Sequence, residues 1–185
     1  GSVFVAGLGV PGDVIDLWGE GAIGAAIGFE YRAEELDSRV DPYKAAGDII
    51  GPPWLAHVAS REGIVCVEAI AGKDPRTIDY DNIPGCTYCQ PQVASLGMTE
   101  ERARAEGHEL KIGRFPFSAS GKARAIGETD GLVKLIFDAK YGELLGAHIL
   151  GAEATEMIAE LGVAKALETT APGIFNTIHA HPTLS

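Results

Sequence analysis

Two apolar segments followed by an amphipathic helix constrain the fold of this chain most strongly. Residues 132–138 and 144–150 resemble strands, and the residues between them include Gly142, which can adopt the positive φ of a tight turn. Residues 152–168 then carry apolar side chains at i, i+4 and i+7 spacing. These apolar positions are Met157, Ile158, Leu161, Ala164, Ala166 and Leu167. A hairpin next to such a helix predicts an antiparallel sheet covered by helices.

The preceding residues extend this α+β pattern. Further strands are predicted at residues 92–97 and 109–116. Between them, Thr99 can cap a helix whose first turn is acidic, and Gly107 ends that helix. The predicted fold class is therefore α+β, with an antiparallel sheet flanked by helices.

A polar segment that ends in proline, residues 79–84, divides the chain into two parts. The first part, residues 1–80, is rich in Gly and Pro, and its residues 54–70 have the pattern of a helix that stops at Gly72. The second part, residues 81–185, carries the α+β pattern. The division predicts a hinge between two domains.

Charge and hydropathy narrow the possible partners. The 185 residues include 26 acidic and 15 basic ones, a net charge of −11, which disfavours nucleic acid or an anionic membrane surface as a partner. A basic protein partner would suit this surface. There is no apolar run of about 18 residues and no basic region before an apolar segment. We therefore expect a soluble cytoplasmic protein without a membrane partner.

The three cysteines predict neither a disulfide framework nor a metal site. Cys86 and Cys89 form a C-x-x-C pattern, but prolines bound their segment, which is typical of extended backbone. A redox pair of this kind normally opens a helix, and on a strand residues three apart point to opposite faces. Zinc would need a second pair of ligands, and none occurs at suitable spacing. A structural role is the favoured interpretation.

The C-terminal segment His179–Ser185 contains the candidate catalytic residue. His181 precedes Pro182, a position that favours extended backbone and a fixed imidazole, and Thr183 could cap a following helix. Histidine titrates near neutrality and is a natural general acid/base. Taken alone, however, these residues favour a packing histidine in a turn. Of the other histidines, His148 is expected to make a core hydrogen bond, His108 to be solvated, and His179 to pack under the His181 loop.

Five segments together resemble the dihydrolipoamide dehydrogenases, which are flavin- and NAD-dependent disulfide oxidoreductases. The matching segments are residues 56–60, 83–97, 115–120, 144–151 and the tail His-Pro-Thr-Leu-Ser at 181–185. They occur in the order and spacing of that family, and the match is nearly continuous from Gly47 to Ser185. Glutathione reductases share the ground plan but usually have Ser where Leu184 stands, and mercuric reductases lack the His-Pro signature.

The resemblance implies roles for individual residues. His181 would be the acid/base, and the Glu that orients it in the family would follow Ser185. Residues 45–48, Ala-Ala-Gly-Asp, are similar to the second flavin fingerprint, with Lys44 at the usual aromatic position. Gly47 and Asp48 would then contact FAD, with the Asp48 carboxylate accepting a hydrogen bond from the ribityl chain.

The resemblance also implies a helix terminus that faces the flavin. Residues Trp54, Leu55, Ala56 and His57 correspond to the start of the helix whose N-terminal amides face the flavin C2 carbonyl. The positive end of the helix dipole would stabilise negative charge on the reduced ring.

The resemblance implies that the chain is the C-terminal part of such an enzyme. Residues 81–185 would be the interface (dimerisation) domain, truncated before its final helix, and residues 1–80 the end of an α/β FAD/NAD-binding region. The implied reaction is oxidation of dihydrolipoyl groups on the acyltransferase subunit of a 2-oxo acid dehydrogenase complex, with FAD and NAD, in a homodimer. His181 would act on the partner subunit's site.

Other interpretations stay open. The family's redox pair lies in an N-terminal C-x4-C segment that is absent here, so we expect the isolated chain to be inactive. The alternatives are a non-catalytic dimerisation or docking module, or another flavin disulfide reductase such as glutathione reductase.

A dinucleotide-binding motif nearer the N-terminus matches the family less well. Residues 19–24 satisfy G-x-G-x-x-G, but they lie too close to Asp48 for the family's order, and no acidic residue follows at the required distance. Residues 3–12 resemble the last strand of the family's NAD domain and its following turn. A chimeric or wrongly interpreted segment is the alternative, because residues 13–44 show little similarity to the family.

Overall fold

The computed structural model describes residues 47–185, in two units, 47–78 and 79–185. The first unit contains a 3-10 turn, Gly47–Ile50, and helix α1, Ala56–Ile70. Helix α1 therefore begins two residues after the predicted start at Trp54, since Leu55 is still extended at φ −131° and ψ 129°. The predictions for residues 3–12, 19–24 and Lys44 lie outside the described residues.

The second unit is built on a five-stranded antiparallel sheet, which confirms the predicted fold class. The strands are β1 (Gly85–Thr87), β2 (Gln92–Gly97), β3 (Leu110–Pro116), β4 (Leu132–Asp138) and β5 (Leu144–Gly151). They lie in the order β1-β2-β5-β4-β3. The helices of this unit are α2 (Glu100–Ala105), α3 (Gly121–Ile126), α4 (Ala154–Ala166) and α5 (Ala171–Phe175). No helix within residues 47–185 combines the length and apolar content needed to cross a membrane.

Asp138 organises the tight turn that joins β4 to β5. Its Oδ1 accepts hydrogen bonds from the amides of Lys140 (2.8 Å) and Tyr141 (2.7 Å). Its Oδ2 lies 3.2 Å from Nδ1 of His108. The Tyr141 amide and the His108 ring hold the pKa of the Asp138 carboxyl below its usual value. The expectation that His108 is simply solvated was therefore wrong, because it has a specific partner on the hairpin.

Helices cover both faces of the sheet. One face forms the main core with α4, and its buried members include Ala94, Leu96, Phe117, Phe137, Leu144, Ala147, Ile149, Ile158 and Leu161. The opposite face packs Ile136 and Leu145 against Ala103 of α2. Neighbouring residues such as Ile136 and Phe137 point to opposite faces, so this part of the sheet has no wholly polar side.

A strand residue caps helix α4 at its start. Gln92 Oε1 accepts hydrogen bonds from the Thr155 amide (3.1 Å) and hydroxyl (2.9 Å). Glu153 precedes the helix with a left-handed φ of 56° and gives no side-chain cap of its own. This conformation delays the helix to Ala154, two residues after the predicted start. Near the other end, the Asn82 side chain donates to the carbonyl of Gly162 (3.1 Å), so α4 is held at two points.

We predict that Gly146→Ala strongly destabilises the second unit. A Cβ at this position of β5 would lie 2.0 Å from the carbonyl oxygen of Met98, which is backbone and has little room to move. Overpacking of this kind typically costs about 1–3 kcal/mol. The free energy of unfolding, measured by denaturant titration, should fall accordingly. Gly113→Ala is the matched control on β3, since its Cβ would meet nothing within 4 Å, and an equal loss in both variants would contradict the prediction.

Candidate functional site

The C-terminal segment presents His181 on an exposed turn. His181 and Pro182 form the turn, with a cis peptide bond between them. Extended backbone at His181 itself stays a prediction, since a residue before proline can be extended within a turn. The hydroxyl of Thr183 lies 2.6 Å from the carbonyl oxygen of Ala180 and 3.2 Å from that of Ser185. Thr183 thus closes the turn, and its role as the cap of a following helix stays a prediction.

Contacts on both sides of His181 hold this turn in place. On the C-terminal side, Leu184 is partly buried and packs against the main core. On the N-terminal side, Nε2 of His179 lies 2.5 Å from Oε1 of Glu160 on α4. Helix α5, which leads into the segment, places the ring of Phe175 edge-on to Phe137 at 6.0 Å between centroids. His181 is therefore an exposed imidazole between two anchored neighbours.

The surroundings of His179 favour its protonated form. Nδ1 of this ring lies 2.9 Å from the carbonyl oxygen of Thr177, while Nε2 faces the Glu160 carboxylate. Both partners are acceptors, and only an imidazolium can donate from both ring nitrogens. The Glu160 side chain, and then the Thr177 carbonyl, raise the pKa of His179 above its ordinary value. His179 was expected to pack under the His181 loop, but its two polar contacts lie elsewhere.

We expect the pKa of His179 to fall toward its ordinary value in Glu160→Gln. The variant removes the larger stabilising partner of the imidazolium and retains the Thr177 carbonyl. Because the folded-state pKa is raised, the pair stabilises the fold fully below the unfolded pKa, and this contribution is lost as pH rises through the folded pKa. Histidine-selective NMR titration measures the pKa of His179 in the unsubstituted protein and in the variant. An unchanged His179 pKa would show that Glu160 does not pair with it in solution.

The turn at Gly47 and Asp48 combines a closely packed backbone with an exposed carboxylate. Gly47 is buried with φ of 70°, and a Cβ there would lie 3.4 Å from that of Ala59 on α1. Backbone therefore packs closely against the helix at this point. Asp48 follows in the first turn of the 3-10 segment, and it is exposed. Its carboxylate is available to accept hydrogen bonds from a polar ligand.

The start of α1 lies in the same unit and is also open to solvent. Trp54 is 69% exposed, Leu55 is half-buried, and Ala56 and His57 are exposed. Leu55 occupies the N-cap position and provides no side-chain cap for the first turn. The first amides of an α-helix have no acceptor within the helix, so this terminus can accommodate a negatively polarised group.

The cysteines form no redox pair in the described residues. All three thiols are free. Burial raises the pKa of Cys66 and, together with the nearby Glu156, that of Cys86. Cys89 is exposed, and its Sγ lies 3.0 Å from the Pro91 carbonyl oxygen. A thiol with a raised pKa forms little thiolate at neutral pH, so Cys66 and Cys86 are poorly suited to nucleophilic chemistry.

Glu160 is the site residue that the sequence did not reveal. It is exposed on α4, between the buried Ile158 and Leu161, and sequence patterns treat it as part of a solvated helix face. Its partner His179 lies 19 residues later, beyond α5. His148, in contrast, makes the internal hydrogen bond that was expected, with Nε2 at 3.1 Å from the Met98 carbonyl oxygen.

Comparisons with known proteins place residues 83–185 in one family. Residues 83–185 match the family model described as pyridine nucleotide-disulphide oxidoreductase, dimerisation domain. The chain is 57% identical to a dihydrolipoyl dehydrogenase from Zymomonas mobilis over 80% of the chain and 32% of that protein. It is 46% identical to one from Chlorobaculum tepidum over the whole chain and 39% of that protein. It thus spans about a third of the length of these relatives.

A solved structure shows the same fold. The HOCl-induced flavoprotein disulfide reductase RclA from Escherichia coli superposes with a TM-score of 0.75 at 26% identity. The match covers 82% of this chain and 38% of the other. The resemblance found in the sequence is therefore confirmed. The chain belongs to the pyridine nucleotide-disulphide oxidoreductase family, with residues 83–185 as its dimerisation domain and dihydrolipoyl dehydrogenases among its relatives.

Proposed function

We propose that this chain forms the C-terminal part of a dihydrolipoyl dehydrogenase that oxidises dihydrolipoyl groups with FAD and NAD. The substrate groups would be carried by the acyltransferase subunit of a 2-oxo acid dehydrogenase complex. The observation that carries the proposal is the presentation of His181 as an exposed imidazole, anchored on both sides by His179 and Leu184. The identity to named dihydrolipoyl dehydrogenases, 57% and 46%, supports the same activity.

His181 acts in this proposal as the acid/base. A dihydrolipoyl thiol must lose its proton as its sulfur attacks a disulfide, and a thiol pKa of about 8.5 leaves little thiolate at neutral pH. A ring nitrogen of His181 takes that proton, so that the attacking sulfur becomes a full nucleophile. The exposed position of His181 gives a substrate thiol access to the ring.

A homodimer would complete the active site, with His181 acting on the disulfide of the partner subunit. Apolar side chains on or just after α4 and α5 remain exposed, and a second copy would cover them. They are Val163 (61%), Leu167 (72%), Phe175 (67%) and Ile178 (96%). In contrast, Met157, Leu161 and Ala164 of the α4 stripe pack against the core of their own unit.

The first unit would hold the flavin through Gly47, Asp48 and the first turn of α1. FAD, when bound, supplies two-electron transfer between the disulfide and NAD. Asp48 would accept a hydrogen bond from the ribityl chain, and Gly47 allows backbone to approach closely. The positive terminus of helix α1 would lie near the flavin ring, placed there by Trp54, Leu55, Ala56 and His57.

Steady-state kinetics of the complete protein that contains this sequence tests the proposed function. Reduction of NAD+ by free dihydrolipoamide should be rapid and should require bound FAD. Reduction of glutathione disulfide, with NADH or NADPH, serves as the comparison, because glutathione reductase is the alternative within the family. Preferential turnover of glutathione disulfide would refute the proposal, as would the absence of both activities in a protein with its full complement of FAD.

A further inference from the structure

Glu160 and His179 join the C-terminal segment to helix α4, two residues before His181. We propose that this pair is a positioning clamp, which fixes the backbone of the segment so that the His181 imidazole meets the substrate thiol. The inference rests on the proposed acid/base role of His181. It assigns a function in the reaction to Glu160 and His179, neither of which needs to touch the substrate.

Glu160 stands on a rigid support. Ile158 and Leu161, which flank it in α4, are 2% and 7% exposed and belong to the main core. The helix is capped by Gln92 through Thr155, and Asn82 donates to its Gly162 carbonyl. The position of the Glu160 backbone is therefore set by the sheet and the core.

The C-terminal segment has few other polar attachments. Asn176 and Thr177 make local hydrogen bonds back to α5. For residues 178–185, the contact between His179 and Glu160 is the sole hydrogen bond to another helix or strand of the described chain. Ile178, immediately before His179, is 96% exposed and adds no packing. Loss of the clamp would leave the segment attached to the core through Leu184.

The path along the chain from the clamp to His181 is short. Ala180 alone separates His179 from His181, and its carbonyl oxygen is the acceptor of the Thr183 hydroxyl. The turn that carries His181 therefore starts from the residue next to the clamp. A shift of His179 would move the turn, and a misplacement of about 1 Å in a catalytic group can cost about a hundred-fold in rate.

The clamp is expected to affect the reaction much more than the fold. The side chains of His179 and Glu160 are 31% and 43% exposed. Ion pairs at the surface contribute little to the free energy of unfolding. Variants that neutralise the pair should therefore fold normally. A change in rate without a change in stability would then separate positioning from a general structural role.

The test uses Glu160→Gln, His179→Gln and the double variant in the complete flavoprotein. In rapid-reaction measurements, the limiting rate of reduction by dihydrolipoamide should fall roughly ten-fold in each single variant. The concentration of dihydrolipoamide at half-saturation should stay the same, because the clamp does not contact the substrate. The double variant should lose no more than either single one, since the two residues act as a unit.

Controls make the result specific to the clamp. Glu156→Gln removes the same charge from an exposed position one turn earlier on α4 and should leave the rate unchanged. Oxidation of NADH by an artificial one-electron acceptor and the midpoint of thermal unfolding should also stay the same in every clamp variant. Near-wild-type reduction in the single variants, or losses that multiply in the double variant, would overturn the proposal.

His181→Gln, measured beside these variants, separates failure of the clamp from failure of the proposed function. If His181→Gln slows reduction while the clamp variants do not, the clamp is refuted and the acid/base role stands. If His181→Gln leaves reduction unchanged, the acid/base role is refuted and the clamp falls with it. Support for the clamp requires the ordered result, in which His181→Gln is the slowest and the clamp variants are intermediate.

Discussion

Replacement of His181 by Gln should slow reduction of the complete flavoprotein by dihydrolipoamide by at least about a hundred-fold. A positioned general base typically contributes about 10²–10⁴ in rate, and glutamine cannot take a proton near neutral pH. The side chain is exposed, so its loss should leave no cavity and little change in the free energy of unfolding. Anaerobic stopped-flow measurement of flavin reduction by dihydrolipoamide gives the rate directly.

Two controls distinguish loss of the acid/base from a general structural effect of His181→Gln. Oxidation of NADH by an artificial one-electron acceptor bypasses the thiols and should remain largely intact in His181→Gln. His108→Gln replaces a partly exposed histidine, which is paired with Asp138 at the β4–β5 turn, and should retain the rate of reduction. An equal loss of both activities in His181→Gln would instead identify His181 as a structural residue.

The sheet could be predicted from sequence because its determinants are local. Apolar runs with turn residues between them set β4 and β5, and Gly142 has the positive φ that the tight turn needs, 79°. The cap of α2 is equally local, with the Thr99 hydroxyl 3.1 Å from the Arg102 amide. Such signals extend over a few residues, and for that reason the predicted bounds of these elements agree closely with the structure.

The short elements were predicted in part or not at all. Strand β1 has three residues within the segment predicted to be extended, and its place as the edge partner of β2 was not predicted. Helix α3, Gly121–Ile126, is marked by the Ser120 cap and Gly127 but is too short to show an apolar stripe. Helix α5 begins after Thr170, which pairs with Glu143 in an isolated β-bridge. None of these elements is long enough for periodicity to identify it.

The surroundings of the candidate catalytic residue were the least predictable part. The rule for a residue before proline concerns the backbone of His181 alone, and it does not show that Thr183 closes a turn around this residue. The pairing of His179 with Glu160 joins residues 19 positions apart, and no local pattern connects an exposed helix glutamate to a histidine beyond the next helix. Composition and spacing could identify the tail, whereas its conformation depends on where α4 and α5 place it.

Asp48→Ala should weaken FAD binding by about 1.5–3 kcal/mol, the usual range for a hydrogen bond to a charged group. This corresponds to a roughly ten- to hundred-fold higher dissociation constant. Asp48 is exposed in the turn after Gly47, so the substitution should leave the packing of that turn on Ala59 intact. Flavin content after purification and titration of the apoprotein with FAD both measure the effect.

The control for this variant is Asp74→Ala, which removes an exposed carboxylate from the same unit, beyond the end of α1. Because Asp74 lies outside the Gly47–Ile50 turn, its replacement should leave FAD affinity unchanged. A general effect of net charge would instead weaken binding in both variants alike. If FAD content and affinity are unchanged in Asp48→Ala, the Asp48 carboxylate makes no hydrogen bond to the ribityl chain. The role of Gly47 and Asp48 is then to turn the chain into α1, and the helix terminus at Leu55 is left to bind the flavin without them.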